Sequence, residues 1–138
     1  AVKKDDLLVV EGGAGAGGSY IVDKRIDNCY VQNSIMIVRQ SKGKPNKWLF
    51  YTLYSLVNRG YIDFVCNKAT IPHFTKDKLS NVPVVIFSQE QISDICNKLD
   101  KMCLKIDVAI TKKQAVIDKL TEYKKSLIYE VVTGKKEV

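Results

Sequence analysis

The chain has 138 residues, with 22 lysines and arginines against 15 acids and a net charge of +7. This suits one small core and a polyanionic partner, either nucleic acid or an acidic membrane surface. No apolar run reaches the roughly 18 residues needed to span a bilayer, and AVKKDDLLVV carries acids where a secretory signal would be apolar, so a soluble, cytoplasmic protein without a membrane partner is expected. Cys29, Cys66, Cys96 and Cys103 form no CxxC pair, and His73 is the lone histidine, which argues against a metal site and for reduced thiols.

Taken in chain order, Asp6–Val10 is a short apolar run rich in β-branched residues, followed by the cluster Gly12, Gly13, Gly15, Gly17, Gly18 and a second strand-like run, Ser19–Val22. The pattern predicts two strands joined by a glycine loop. Tyr30–Arg39 predicts a third strand, and the polar stretch Ser41–Lys47, with Gly43 and Pro45, a loop. A helix follows through Trp48, Leu49, Tyr51, Leu53, Tyr54 and Val57, with Asn46 as its candidate cap, Gly60 as its stop and its apolar side on the sheet. Tyr61–Cys66 and Val82–Phe87 read as a fourth and fifth strand, and Asn67–Thr75 as the loop between.

From Gln89 to Thr133 there is neither Gly nor Pro, and apolar residues recur in steps of three and four: Ile92, Ile95, Leu99, Met102, Ile106, Ala109. This predicts a helix of roughly 67 Å at 1.5 Å per residue. Ser88 and Gln91 have the spacing of a capping box at its head. Such a rod exposes a stripe too long for the preceding domain to cover, so it needs another helix alongside. The seam is expected at Ile92, Ile95, Leu99, Met102, Ile106, Ile117, Leu120, Leu127 and Val131. The expected division is a small mixed-sheet α/β (α+β) domain over residues 1–88 and one long coiled-coil-forming helix over 89–138. Residues 1–88 hold 12 basic side chains against 7 acidic ones, so most of the positive charge belongs to the small domain.

Gly13, Gly15 and Gly18 satisfy G-x-G-x-x-G after an apolar strand. A dinucleotide fingerprint needs a helix to begin at the last glycine, but SYIVD follows with no helical period, and Ser19 stands where a P-loop needs lysine. No cofactor is expected. Two readings remain: a plain hairpin connection, or bare backbone that closely approaches a DNA phosphate or groove edge. With one histidine and no G-x-S-x-G, the usual catalytic sets are missing and no enzyme is expected.

Three stretches resemble the specificity (S) subunit of type I restriction-modification systems. Asp6-Leu7-Leu8-Val9-Val10-Glu11-Gly12, running through the glycine turn to Gln32-Asn33, is similar to the family's first hairpin and its Asn-bearing strand. Lys68-Ala69-Thr70-Ile71-Pro72-His73-Phe74, leading to Leu79 and Val82-Pro83-Val84, is similar to the loop and strand that close a target recognition domain. The strongest is Ile86-Phe87-Ser88-Gln89-Glu90-Gln91-Ile92, then Leu99-Asp100, Lys105-Ile106-Asp107, Leu120, Tyr123, Ser126-Leu127-Ile128 and Val131-Val132-Thr133-Gly134-Lys135. Phe87 stands where the family usually has proline.

The resemblance implies a non-catalytic subunit that selects duplex DNA for a modification (methyltransferase) subunit and, indirectly, a restriction subunit. Family members carry two recognition domains and two long helices paired antiparallel. One partial domain and one helix therefore imply a fragment, a truncated product or a half-subunit that pairs with a second copy or with the other half.

On this basis Lys24, Arg25, Arg39, Lys42, Lys44 and Lys47 are candidates for phosphate neutralisation. Asn33, Lys68, Thr70 and His73 are candidates for base readout, and Gly15 and Gly17 for close backbone approach. Tyr20, Trp48, Tyr51 and Tyr54 are expected in the core. The competing expectation is a coiled-coil assembly protein whose basic domain binds no specific DNA.

Overall fold

The computed structural model describes residues 1–40, 46–66 and 71–137. Among these residues three strands, β1 (Leu7–Val10), β2 (Ser19–Ile21) and β3 (Ile35–Val38), and four helices, α1 (Lys47–Asn58), α2 (Tyr61–Val65), α3 (Lys76–Ser80) and α4 (Gln89–Val132), follow in chain order. The fold is mixed α and β, as expected. The chain divides into two compact units, Ala1–Ser93 and Asp94–Val138.

The sheet is antiparallel throughout, in the order β2-β1-β3. Leu7 faces Ile21 on one side and Val38 on the other, and Val9 faces Ser19 and Met36. Successive side chains point to opposite faces. Leu7 and Val9 are accordingly fully buried on the helix side, while Leu8 and Val10 are half-buried on the other.

α1 lays Leu53 into a core shared with Leu7, Val9, Ala16, Ile62, Cys66, Phe74 and Val82, with Leu49, Phe50, Leu56 and Val57 packed around it. Gly60, at φ 81°, joins α1 to α2: its N–H donates to the Val57 carbonyl, and its own carbonyl accepts the Phe64 N–H. The left-handed backbone there is one a side chain would resist.

Several expectations are corrected. Tyr61–Cys66 is the short helix α2, not a strand; five residues are too few for an apolar run to reveal its period. Only Ile35–Val38 of the Tyr30–Arg39 stretch pairs as a strand. Val82–Phe87 belongs to no strand, and none of β1, β2 and β3 pairs with it. α3 occupies a stretch for which no helix was expected. Asn46 sits at the head of α1 but makes no capping bond; its amide nitrogen donates to Asp5 and Val38 carbonyls at 2.7 and 3.0 Å, joining the helix start to the sheet. Tyr20 and Tyr54 lie on the surface, at 56 % and 62 % exposure, and Trp48 and Tyr51 are half-buried.

Both ends of α4 are specified locally. The Ser88 N–H donates to Gln91 Oε1 at 3.1 Å and the Gln91 N–H to Ser88 Oγ at 3.2 Å, the reciprocal pair of a capping box. At the other end Lys135 N–H returns to the Glu130 carbonyl and Gly134 N–H to that of Val131, which together form a Schellman motif. The helix has 44 residues, about 66 Å of rise. Of its seam, Ile92, Ile95, Leu99, Leu127 and Val131 are half-buried, while Met102, Ile106, Ile117 and Leu120 are 51–60 % exposed.

Candidate nucleic-acid interface

The candidate residues of the Ala1–Ser93 unit fall at the two ends of its short sheet. At the end where β1 leaves the sheet, Glu11 is the junction. Its N–H donates to Ser34 and its carbonyl accepts the Phe74 N–H at 2.6 Å, while the Gly13 N–H donates to Pro72. Gly12 and His73 form an isolated antiparallel bridge, with the imidazole 3.3 Å from where a Gly12 side chain would begin. The glycine turn, the Asn33–Ser34 corner and the His73 loop therefore meet at one place. Asn33, His73 and Gly15 are exposed there.

The His73 loop is held from beneath. Lys78 Nζ donates to the His73 carbonyl at 2.7 Å, and the buried Cys66 thiol donates to the same oxygen at 3.2 Å. Phe74, fully buried, pins the next residue into the core. This leaves the imidazole outside and its backbone fixed, which is the requirement for a side chain that reads a partner.

Within the turn the glycines do different things. Gly18 leads directly into β2, so no helix N-terminus is available to cradle a pyrophosphate. Gly17, at φ 80°, is buried: a Cβ there would lie 2.4 Å from Ile62 Cδ1 and 3.1 Å from Val57 Cγ2. Its missing side chain admits α2 to the sheet. Gly15, by contrast, leaves its backbone open to an incoming molecule. A cleft of about 200 Å³ beside the turn is lined by Gly13, Ala14, Gly60, Asp63 and Pro72 among others. Asp63 was overlooked because its segment reads as a strand; recognising α2 would have placed it on a helix facing the turn.

At the opposite end of the sheet lie Lys24 and Arg25, beyond the end of β2, and Lys47 at the head of α1, all exposed. Arg25 pairs with Asp27 at 2.7 Å in full exposure to solvent. Arg39 belongs here too, but as a structural residue. Its Nε and Nη2 hold both oxygens of Asp6 at 2.6 and 2.7 Å, and Nη2 also reaches the Ala1 carbonyl. The Arg39 hydrogen bonds hold the buried Asp6 carboxyl below its ordinary pKa, against desolvation, with help from the Lys3 N–H at 2.7 Å. A guanidinium so committed is not free to neutralise a phosphate, which corrects its place among the candidates. Lys42, Lys44, Lys68 and Thr70 lie outside the described residues.

A family model for the type I restriction modification DNA specificity domain matches residues 1–118. The chain belongs to this family. Neither a curated protein nor a solved structure matches it. Specificity domains of this family are non-catalytic recognition domains.

Proposed function

We propose that this chain is a DNA-reading specificity subunit, or a half or piece of one, which binds duplex DNA and directs adenine methylation and cleavage by partner subunits in the cytoplasm. The supporting observation is the junction at Glu11, which gathers Gly15, Asn33 and His73 at one exposed end of a domain from the specificity family. Asn33 and His73 offer the planar donors and acceptors that base edges require, and Gly15 allows backbone to come close. Lys24, Arg25 and Lys47, with Lys42, Lys44, Lys68 and Thr70, supply phosphate neutralisation and further readout. In this reading residues 1–88 form the recognition domain and 89–138 the pairing helix. The α4 seam docks on a second copy, or the other half of a full subunit, and on the modification subunit, which in turn engages the restriction subunit. About 66 Å of helix is close to two turns of B-DNA, a length suited to spanning two half-sites.

Anisotropy titration of duplex DNA tests the reading. Affinity is expected to fall with log salt at a slope of roughly −0.9 per phosphate neutralised. His73→Ala and Asn33→Ala are expected to lower the preference between duplexes by about 1–3 kcal/mol at the affected base pair, with non-specific binding retained. Mapping methylated adenines in cells with and without the gene identifies the target. Retention of a protein partner together with absence of any salt-sensitive DNA binding would overturn the reading in favour of a scaffold.

A further inference from the structure

Among the described residues no strand pairs with the outer edge of β3. On the β2 side the Val10 N–H donates to Gly18 and its carbonyl accepts the Gly17 N–H, and the Asp6 carbonyl accepts the Val22 N–H, whereas Glu11 donates to Ser34 on the β3 side. Alternation along β1 therefore turns the backbone groups of Leu7 and Val9 toward Val38 and Met36, and those of Ile35 and Ile37 point outward from β3. The Ile35 N–H is taken by the Gln32 carbonyl at 3.0 Å; the outward N–H of Ile37 has no backbone acceptor among the described residues. Beside this edge runs a groove of about 550 Å³, lined by Met36, Val38, Leu49 and Leu79 together with Arg39, Lys76 and Ser80.

The same unit holds a segment with the opposite need. Val84, Val85, Ile86 and Phe87 are β-prone and belong to no helix or strand, at 40, 62, 91 and 38 % exposure. One side of the segment is already used: Trp48 Nε1 donates to the Val85 carbonyl at 3.0 Å and the Phe87 ring stands edge-on to Trp48 at 5.5 Å. In an extended chain Val84 and Ile86 share the other side.

We propose that Val84–Phe87 of a second copy adds to the outer edge of β3 as a fourth strand, and that the addition is reciprocal, forming a two-fold dimer through the sheet. The four residues match the four of β3. Val84 and Ile86 enter the groove against Met36, Val38, Leu49 and Leu79, and the outward groups of Ile37 gain backbone partners. The segment carries no charge, and of the two cations lining the groove Arg39 is already neutralised by Asp6, which leaves Lys76 to face uncharged side chains. Two copies of a chain with net charge +7 can thus meet here with little opposition between cations. The contact is isologous, so taken by itself it closes at two copies. It is independent of the DNA reading and of the α4 seam.

The test uses the full chain carrying Ile106→Asp and Leu120→Asp, which remove helix pairing. Sedimentation velocity over a concentration series is expected to show a monomer–dimer equilibrium, and slower exchange of the Ile37 amide as concentration rises. Ile86→Asp, at a surface residue, and Ile37→Pro, which removes an N–H that points away from β1, are each expected to raise the dissociation constant by roughly tenfold or more with the melting temperature retained. If Ile37→Pro does not fold, Ile86→Asp and the amide exchange decide alone. A strict monomer at every concentration, or a dimer indifferent to Ile86→Asp with an unprotected Ile37 amide, would overturn the proposal.

Discussion

Asp6→Asn replaces the carboxylate that receives both arms of Arg39 by an amide with a single accepting oxygen, so the half-exposed guanidinium loses its counter-charge and one of its two bonds there. Because Arg39 remains in contact with water, the expected loss is about 1–3 kcal/mol, below the range for a fully buried pair. Urea unfolding measures it. The pH dependence has a definite sign. The folded pKa of Asp6 is lowered, so its stabilisation is complete above the unfolded value near 3.9 and is lost as pH falls through the folded one. The gap between wild type and Asp6→Asn is therefore expected to close as pH drops from about 6 toward about 3. Gly17→Ala tests a different contact. A methyl group would press on Ile62 and Val57 and occupy a left-handed backbone, at an expected cost of roughly 1–3 kcal/mol. Ile62→Ala in the same chain relieves the clash but not the backbone strain, so the double variant should lose less than the two single losses summed, as thermal melts would show.

Among the elements, α4 was legible almost to the residue because its signals are local: an uninterrupted helical period and a cap whose two partners lie three positions apart. Ser88→Ala is expected to free the Gln91 N–H and cost about 1 kcal/mol at that end. Hydrogen exchange should quicken at Gln91 and Ile92 and stay unchanged near Leu127. The β1–β2 hairpin and α1 were readable for the same reason. Tyr61–Cys66 was not, since β-branched and aromatic residues suggest a strand whereas the turn at Gly60 commits the chain to a helix. Val82–Phe87 shows the converse: strand propensity expresses itself only where a neighbouring strand is paired with the segment. In the candidate interface, the types of residue were legible in Asn33 and His73, but their meeting was not. It depends on single hydrogen bonds from Glu11 to Ser34 and Phe74, made in irregular stretches that leave no periodic trace.

For the whole molecule, the decisive feature is a long helix whose middle apolar residues, Met102, Ile106, Ile117 and Leu120, are at least half exposed. In the proposed reading this exposed apolar stripe is the pairing surface. Ile106→Asp with Leu120→Asp is expected to abolish assembly through α4 and to lower helix content on dilution, read by sedimentation and circular dichroism, while salt-dependent DNA binding by the Ala1–Ser93 unit is retained in weakened form. Loss of avidity, not of recognition, is the expected signature. The chain also contains a single tryptophan, and Trp48 happens to clasp the extended stretch just ahead of α4 through Val85 and Phe87. Its indole is thus a built-in optical gauge: undoing that clasp would wet the ring and move its emission to longer wavelength, so release of the Val85–Phe87 stretch within the Ala1–Ser93 unit can be followed by light alone, without attaching a dye.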